Sequence, residues 1–372
     1  MPVEAYAPGR VELLGNHTDY NQGVVLAAAI DRGVTMRGEH RSDRQIVLHS
    51  STEETFEISR EALEPQRERS WVNYVLGVVK ELDNAGIQVG GFSAGIESNL
   101  PPGCGLSSSA ALEVATAYLL LKLFAAHLAP FEVAKLCQRA EHRFVDVQCG
   151  LLDQVTSVFG RAGHVVFFDA RSEEVRPIPF PSGLALIIAQ SGARRELADG
   201  LYNQRREETR VAAEALGLAV LRDILPDELT KRDLPPLLHR RATHIVGEND
   251  RVARSLQLLA QNDGRSLGAL MNESHESSRR NFENSTPELD LLVETARKLP
   301  GVLGSRLTGG GFGGATVTLC ERDAAPRIAE EMARVYSRRA GRESRNFVCA
   351  PADGAELFAA ANKGQALAPR RS

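Results

Sequence analysis

The chain has 372 residues, more than one ordinary hydrophobic core accommodates, so we expect two domains. Hydrophobic residues make up 43% of it and charged residues 25%, which is typical of globular proteins. Its net charge of -4 leaves no basic excess for phosphates, which argues against nucleic-acid binding. The five cysteines are widely spaced and form no CxxC pair, so we expect neither disulfides nor a structural zinc site. A reducing, cytoplasmic location fits this pattern best. No signal peptide or membrane-spanning stretch is expected.

In the first half of the chain, short apolar runs precede helical patterns. Residues 24–30, 44–49 and 87–97 are expected to form strands. A long helix is expected to begin at Ser107, because serine favours the N-cap and Ala and Leu follow at helical spacing. Residues 131–146 have the pattern of a second, amphipathic helix.

The second half begins with two expected strands, 163–170 and 184–190, separated by a segment rich in proline and charge. We interpret that segment as the boundary between domains 1–178 and 179–372. The elements expected after it are helices near 195–216, 237–261, 264–272 and 287–299, a strand–glycine turn–strand over 302–320, and a helix over 323–339. The pattern predicts a mixed α+β protein.

Two glycine-rich segments are candidate ligand loops. PPGCGLSSSAA, residues 101–111, places glycines and three serines at a helix start, where free N–H groups favour phosphate, although a plain capping turn is the alternative. It lacks the Gly-Lys-Ser/Thr ending of a Walker A loop. LTGGGFGGATVTL, residues 307–319, contains GxGxxG, but a strand follows it, which excludes a dinucleotide-binding turn. On its own it favours a hairpin turn over a second ligand loop.

The segment GRVELLGNHTDYNQG, residues 9–23, is unusually polar. Its His17 and Asp19 suggest a metal site, a site for a polyhydroxylated ligand or a solvated turn. Further along, Asp153 stands in an apolar run, where an unpaired carboxylate is costly to bury. That makes Asp153 a candidate for a catalytic group or for an ion pair with an arginine.

Together these segments resemble the kinase family that contains galactokinase, homoserine kinase, mevalonate kinase and phosphomevalonate kinase, and within it the galactokinases. The resemblance rests on APGRVELLGNHTDYNQG, LPPGCGLSSSAALEVA, AEHRFVDVQCGLLDQ, LADGLYNQRREE and ELDLLVETARKLPGVLGSRLTGGGFGGATVTL, in that order. It implies an N-terminal domain like domain 2 of ribosomal protein S5, a ferredoxin-like C-terminal domain and an active site between them. It also implies transfer of the γ-phosphate of ATP, with Mg2+, to the anomeric hydroxyl of galactose, by a protein expected to be a monomer.

The resemblance also implies roles for individual residues. Asp153 matches the catalytic base, and Arg10 matches the arginine that orients it and offsets phosphoryl charge. Because an aspartate beside an arginine is a weak base, the mechanism is expected to depend on positioning and electrostatics. The sugar-binding positions implied are Asn16, His17, Asp19, Gly150, Asp153 and Tyr202. Those implied for ATP are Gly103, Gly105, Leu106, Ser107, Ser108, Ser109 and Trp71, with Ser109 and Glu141 for the metal. For Glu141 a surface charge, and for Trp71 a core position, are the alternatives.

The chain departs from the family pattern at Asn16, where those kinases have a glutamate that reaches the C6 hydroxyl of the sugar. Loss of its charge predicts either weaker galactose binding or another anomeric substrate, such as galacturonate, N-acetylgalactosamine or arabinose. A non-catalytic sugar sensor is a further alternative, which the intact LSSSAA, Arg10 and Asp153 disfavour.

Overall fold

The computed structural model describes residues 2–51, 54–68, 70–101, 104–193 and 198–356, with residues 198 and 199 described by their backbone alone. The strands in these ranges are β1 (Val3–Leu14), β2 (Val24–Arg41), β3 (Gln45–Ser50), β4 (Phe56–Ser59), β5 (Gly91–Ser98), β6 (His164–Asp169), β7 (Glu174–Pro179), β8 (Leu184–Gln190), β9 (Val302–Thr308), β10 (Ala315–Glu321) and β11 (Asn346–Cys349). The α-helices are α1 (Val72–Asn84), α2 (Ser108–Leu123), α3 (Pro130–Ala140), α4 (Leu152–Phe159), α5 (Ala198–Ala215), α6 (Pro226–Leu229), α7 (Pro236–Ala260), α8 (Gly264–Ser277), α9 (Pro287–Arg297) and α10 (Ala325–Ala340).

The first sheet contains seven strands, in the order β4-β3-β5-β2-β6-β7, with β1 also paired to β2. Strands β3 and β5 run parallel and the other described pairs run antiparallel. Strand β2 extends well beyond the expected residues 24–30. Residues 24–30 of the strand are all buried, and further along Val34 and Met36 stay buried while Thr35 and Arg37 turn outward, which is the alternation of a strand with one solvated face.

Strand β1 was not among the strands expected from the sequence, whose polar residues at 9–23 left a metal site, a ligand site and a solvated turn open. It pairs with β2 from Val3 opposite Gly38 to Leu14 opposite Leu26, with irregularities after Pro8 and Glu12. Val11 and Leu13 are fully buried in the core, so the intervening side chains lie on the other face of the strand. This alternation brings the polar side chains of β1 to one surface.

Strand β7 lies within the proline-rich segment 171–183, where no strand was expected from the sequence. It pairs with β6 over its whole length and lies at the sheet edge. Its prolines, Pro177 and Pro179, are compatible with an edge strand, where a missing N–H breaks no second ladder. The proline-rich composition therefore marks an edge strand.

The second sheet has four antiparallel strands in the order β11-β8-β10-β9. The chain forms β8, then helices α5–α9, then β9 and β10, then α10 and β11. This is the ferredoxin-like arrangement, so the expected mixed α+β fold is confirmed. On one face of β8, Ala185, Ile187 and Ala189 pack with residues of α9 and α10.

The other face of β8 contributes Leu186 and Ile188 to a large core that also contains residues of β1, β2 and α2. After β11 the chain returns to the first sheet, where Pro351 bridges to Ile30. The last strand of the first sheet ends at 179 and β8 begins at 184, but the apolar core runs through both sheets. The division into 1–178 and 179–372 stays a prediction. In the described part of the chain, no helix has the length and apolar character needed to cross a bilayer.

Candidate active site

A cavity of about 260 Å³ lies where the two sheets meet. Its walls come from the end of β1, the turn that follows it, the starts of α2, α4 and α5, and the loop between β9 and β10. Segments far apart in sequence therefore converge on one cleft, as the resemblance implied.

Arg10 and Asp153 form the central ion pair of the cleft. Nε and Nη2 of Arg10 lie 2.8 and 2.6 Å from Oδ1 of Asp153, and Nη1 of Arg10 donates to the carbonyl oxygen of Gly105 at 2.6 Å. The Arg10 side chain is 6% exposed and the Asp153 side chain 26%, so the aspartate reaches the cleft while the arginine is enclosed. One arginine thus connects β1, the first glycine loop and the start of α4.

The second oxygen of Asp153 accepts a hydrogen bond from Oγ of Ser107 at 2.5 Å. Ser107 occupies the N-cap position of α2, in a left-handed conformation with φ 58°, but its hydroxyl makes no capping bond. The N–H groups of the first helical turn therefore keep their capacity to bind an anion. Ser108 is exposed and Ser109 half-buried at this turn, and both line the cleft.

Asp19 lies in a short 3-10 turn after β1, against the start of α4. Its Oδ2 lies 3.5 Å from the backbone N of Leu152, and Gly150 is packed directly against the carboxylate. Burial, and then the charge of Asp153, raise the pKa of Asp19 to about 6. Both carboxylates line the same cavity.

His17 is enclosed by aromatic rings, with centroids 4.8 Å from Tyr202 and 4.7 Å from Phe282. Its Nε2 lies 3.0 Å from the carbonyl oxygen of Gly310, which only accepts, so Nε2 carries the hydrogen and Nδ1 accepts from the Tyr20 hydroxyl at 2.8 Å. Burial lowers the pKa of His17 to about 4, so the ring is neutral near pH 7.

The amide of Asn16 is fully buried and already bonded within the protein. Its Nδ2 lies 2.8 Å from the carbonyl oxygen of Gly309 and 3.3 Å from Oε2 of Glu12, and its Oδ1 accepts from Asn284 at 2.9 Å. Both amide hydrogens of Asn16 are therefore in use.

Side chains of helix α7 form hydrogen bonds with the backbone around Asn16. Oε2 of Glu248 accepts hydrogen bonds from the N–H groups of Gly15 and Asn16 at 2.8 and 2.9 Å. His244 Nε2 lies 3.2 Å from the Asn16 carbonyl oxygen. Burial alone would raise the pKa of Glu248, but Arg251 and Arg306 lower it overall, so the residue is a carboxylate.

Glu141 lies at the other end of the cleft, at a π-helical turn after α3. It is 6% exposed and not a surface charge. Nε2 of Gln154 donates to Oε2 of Glu141 at 2.9 Å. It also lies 3.2 Å from Oε2 of Glu113, which is fully buried, so one amide connects the two carboxyl groups. Burial and neighbouring carboxylates raise the pKa values of both glutamates.

The loop between β9 and β10 is the hairpin turn that its sequence favoured, and it also borders the cleft. It joins antiparallel neighbours, and Gly309, Gly310, Gly311 and Phe312 also line the cleft. A Cβ on Gly309 would lie 3.0 Å from the carbonyl oxygen of Gly105, so the two glycine loops touch.

Most of the expected site residues come together in this cavity. The cleft-lining members are Arg10, Asn16, His17, Asp19, Gly105, Ser107, Ser108, Ser109, Glu141, Gly150, Asp153 and Tyr202. Leu106 is buried behind the loop, where its carbonyl oxygen accepts from the N–H of Arg10. Trp71 precedes α1 and packs against the large core, away from the cavity lining. Gly103 lies outside the described residues.

Sequence reasoning missed Glu12, Glu113, Gln154 and Glu248, which hold or line the site. A signal existed for two of them. Glu113 is a lone acid in the otherwise apolar SSAALEVATAYLLL, and Glu12 alternates with Val11 and Leu13 on a strand. No local pattern distinguishes Gln154 or Glu248 from surface residues of amphipathic helices.

Three family models match the chain. The galactokinase galactose-binding signature covers residues 2–39, the N-terminal domain of GHMP kinases covers 73–161, and the C-terminal domain of GHMP kinases covers 255–338.

Characterised relatives match over most of their length. A galactokinase of Roseiflexus sp. is 42% identical over 356 residues, which are 94% of this chain and 91% of that protein. The galactokinase of Bos taurus is 43% identical over 89% of this chain and 86% of its own. The crystal structure of Lactococcus lactis galactokinase complexed with galactose has a TM-score of 0.91 at 30% identity, over 95% of this chain and 94% of that one. Methanococcus jannaschii mevalonate kinase, at 19% identity and a TM-score of 0.70, shares the fold.

Proposed function

Because the chain belongs to the galactokinase family, we propose that it transfers the γ-phosphate of ATP to the C1 hydroxyl of galactose, forming galactose 1-phosphate and ADP. The observation that carries this proposal is the pairing of Arg10 with Asp153 beside the uncapped start of α2. That arrangement places a carboxylate, a guanidinium and a helix N-terminus in one cleft. Phosphoryl transfer needs positioning and charge stabilisation of this kind.

In the proposed reaction, the C1 oxygen of galactose forms a bond to the γ-phosphorus while the bond to the bridging oxygen of ADP breaks. The proton of the C1 hydroxyl passes to Asp153. Because Oδ1 is held by Arg10 and Oδ2 by Ser107, the carboxylate is fixed in orientation, and one further lone pair of Oδ2 is the acceptor. Any carboxylate is a weak base toward an alcohol hydroxyl, so proton transfer accompanies phosphoryl transfer and does not precede it.

The negative charge of the transferring group is offset by two features of the chain. Arg10 supplies a guanidinium that is enclosed yet lines the cleft. The N–H groups at the start of α2, together with Ser108 and Ser109 and the glycine loop 103–106, bind the phosphates of ATP. We further assign the surroundings of Trp71 to the adenine ring. Its buried Nε1, which has no hydrogen-bond partner in the described chain, supports a polar ligand there.

The donor set at the far end of the cleft fits a magnesium ion. Glu141 and Ser109 both line the cavity, and Oε1 of Glu113 and of Gln154 are buried oxygens without a hydrogen-bond partner among the described residues. Hard cations take such oxygen ligands, and magnesium usually binds through one or two carboxylates plus substrate phosphates. Glu141 and Ser109 would hold the ion. When bound, it supplies positive charge to the phosphates.

On the sugar side, Asp19 is the acceptor for galactose hydroxyls, Gly150 leaves room for it, and Tyr202 with His17 forms an aromatic wall. The substrates suggested by the loss of charge at Asn16, such as galacturonate, are not favoured, because a carboxylate remains beside it in Glu12. A sensor without activity is not favoured either, since the catalytic pair is assembled. We place the enzyme in the cytoplasm as a monomer, and its five cysteines, which form no disulfide in the described structure, are compatible with a reducing compartment.

The test is ADP release with galactose, galacturonate, N-acetylgalactosamine, arabinose and fucose, compared with ATP alone. We expect galactose to give the highest kcat/KM and phosphorus NMR to identify an anomeric phosphate. A different sugar far ahead of galactose, or ATP hydrolysis that no sugar stimulates, contradicts the proposal.

A further inference from the structure

Glu12 is a buried carboxylate inside the cleft that the reaction described above does not use. Its side chain is 4% exposed, yet it lines the same cavity as Arg10 and Asp153. Arg10 and Glu12 lie two positions apart on β1 and so face the same side. Both neighbours of Glu12 on the strand, Val11 and Leu13, point into the core.

The carboxylate of Glu12 is held from behind by a fully buried arginine. Nη1 of Arg306 lies 2.9 Å from Oε1 of Glu12, and the backbone of Glu12 is fixed by Thr308, whose hydroxyl accepts from the N–H at 2.8 Å. Burying an acid is costly without such a partner. Burial raises the pKa of Glu12, and the ion pair with Arg306 opposes that rise, so the chain maintains a fixed carboxylate at this wall.

The acceptor capacity of Glu12 is not exhausted by its protein partners. A carboxylate offers about four lone-pair sites, and the Glu12 oxygens make side-chain bonds to Arg306 and to the Asn16 amide. Asn16, by contrast, has both amide hydrogens committed and its oxygen bonded to Asn284. Of these two neighbours, Glu12 is the better acceptor for a ligand hydroxyl.

Its place along β1 indicates which part of the sugar it meets. Arg10 and Glu12 are two positions apart on β1, so their Cα atoms are separated by roughly 7 Å. This separation is about the width of a pyranose ring, so a sugar whose C1 lies beside Asp153 extends toward Glu12. The hydroxyls of a hexose most distant from the reacting C1 hydroxyl are those on the C4 and C6 side.

We propose that Glu12, braced by Arg306 and Asn16, is a sugar-binding residue that accepts a hydrogen bond from a galactose hydroxyl on the C4–C6 side. It makes the cleft select a neutral hydroxyl and reject a carboxylate there. This inference rests on the proposed function and adds a specificity determinant to it.

The test compares wild type with Glu12→Gln on galactose, 4-deoxygalactose and 6-deoxygalactose, with Glu4→Gln, on the exposed part of the same strand, as the control. Because a charged acceptor is worth about 1 kcal/mol more than a neutral one, we expect the galactose KM to rise about fivefold in Glu12→Gln. The deoxy sugar that lacks the bonded hydroxyl should show no such rise, which identifies the hydroxyl. An equal loss for all three sugars, the result of a merely structural role, overturns the inference.

A second variant guards against misfolding, because Glu12→Gln leaves Arg306 without its counter-charge. The exchange Glu12→Asn with Asn16→Glu keeps one carboxylate at this wall, and we expect it to retain the preference for galactose over the same deoxy sugar. Loss of that preference in a folded exchange variant contradicts the inference.

The third part of the test uses the wild-type enzyme. We expect its kcat/KM for galacturonate to be at least about 100-fold below that for galactose, since like charges repel in a buried site. Equal use of galacturonate overturns the role of Glu12 while leaving sugar kinase activity intact. Failure of wild type to phosphorylate galactose at all contradicts the proposed function itself.

Discussion

Gly150 packs so closely on Asp19 that a Cβ atom at position 150 would overlap the carboxylate. The loop before α4 and the turn after β1 therefore fit together only with glycine at this position. The same loop leads to Asp153, three residues on, and the carboxylates of Asp19 and Asp153 line one cavity, so the packing at Gly150 affects how the two are placed.

Gly150→Ala should displace Asp19 from the cleft wall. We expect the KM for galactose to rise at least tenfold, with a smaller fall in kcat, because Asp19 contributes binding in the ground and transition states. Steady-state kinetics measures this. Gly183→Ala, at a position with no atoms within 4 Å of the added methyl group, is the control and should match wild type. A wild-type KM in Gly150→Ala would remove Asp19 from the sugar site.

The raised pKa of Asp19, about 6, predicts a pH dependence of sugar binding. Above pH 6 the group is a carboxylate and accepts sugar hydroxyls, and below pH 6 it is protonated and loses acceptor strength. We expect the galactose KM to rise as the pH falls from 7.5 to 5. Asp19→Asn should bind galactose weakly at every pH and show no bend near 6.

The raised pKa of Asp19 affects the stability of the fold in the direction opposite to its effect on sugar binding. A carboxyl with a raised folded pKa binds protons more tightly in the folded state, so its contribution to stability falls as the pH rises from about 4 to 6. Asp19→Asn should therefore raise Tm at pH 7.5 and have little effect at pH 3.5. An unchanged Tm at pH 7.5 would contradict the raised pKa.

Asp153→Asn should nearly abolish turnover while ATP still binds. The amide cannot take the C1 proton and leaves Arg10 without its partner, so we expect kcat to fall roughly 10²- to 10⁴-fold. Calorimetric titration with ATP supplies the control on the same protein. Ser107→Ala removes one of the bonds that hold Asp153 and should cause a much smaller loss. Near-normal turnover of Asp153→Asn would refute its assignment.

Glu248→Gln should destabilise the whole protein. Arg251 lies 2.7 Å from Oε1 of Glu248, and neutralising this buried acid leaves the arginine charge uncompensated. The expected loss is about 3 kcal/mol in the free energy of unfolding, measured with urea. Glu273→Gln, whose side chain is half exposed, is the matched control and should stay within about 0.5 kcal/mol of wild type. Equal stability of the two variants would exclude a supporting role for Glu248.

Trp71 is the single tryptophan of the chain, so its fluorescence reports on one place. If the adenine ring lies beside it, ADP should quench the emission in a saturable way, and galactose alone should not. Tripolyphosphate, which lacks the base, separates adenine contact from a distant effect of phosphate binding. Quenching by tripolyphosphate equal to that by ADP would place the adenine elsewhere.

The central pair of the site was predictable from the sequence because Arg10 and Asp153 each lie in a recognisable motif. The place of Ser107, Ser108 and Ser109 at the cleft was predictable for a similar reason, since glycines, serines and a helix start coincide. Even so, the sequence alone could not show that the Ser107 hydroxyl bonds to Asp153. Its left-handed backbone turns the side chain away from the helix it precedes.

The strand β1 and the environment of Asn16 could not be predicted, because tertiary contacts decide both. Polar residues on β1 face a cleft that another part of the chain completes, so they resemble a solvated turn in the sequence. Asn284, 268 positions away, engages the Asn16 oxygen, and Arg306, 294 positions away from Glu12, engages the carboxylate. Pairings of this separation leave no periodic pattern.

The apolar core that joins Leu186 and Ile188 of β8 to the first sheet has a consequence for cooperativity. Neither half of the chain can expose its side of that core to water without losing much of its own stabilisation. The protein should unfold in a single calorimetric transition, and fragments 1–178 and 179–372 expressed separately should fail to fold independently. The cleft between the two sheets therefore exists only as part of one cooperative unit.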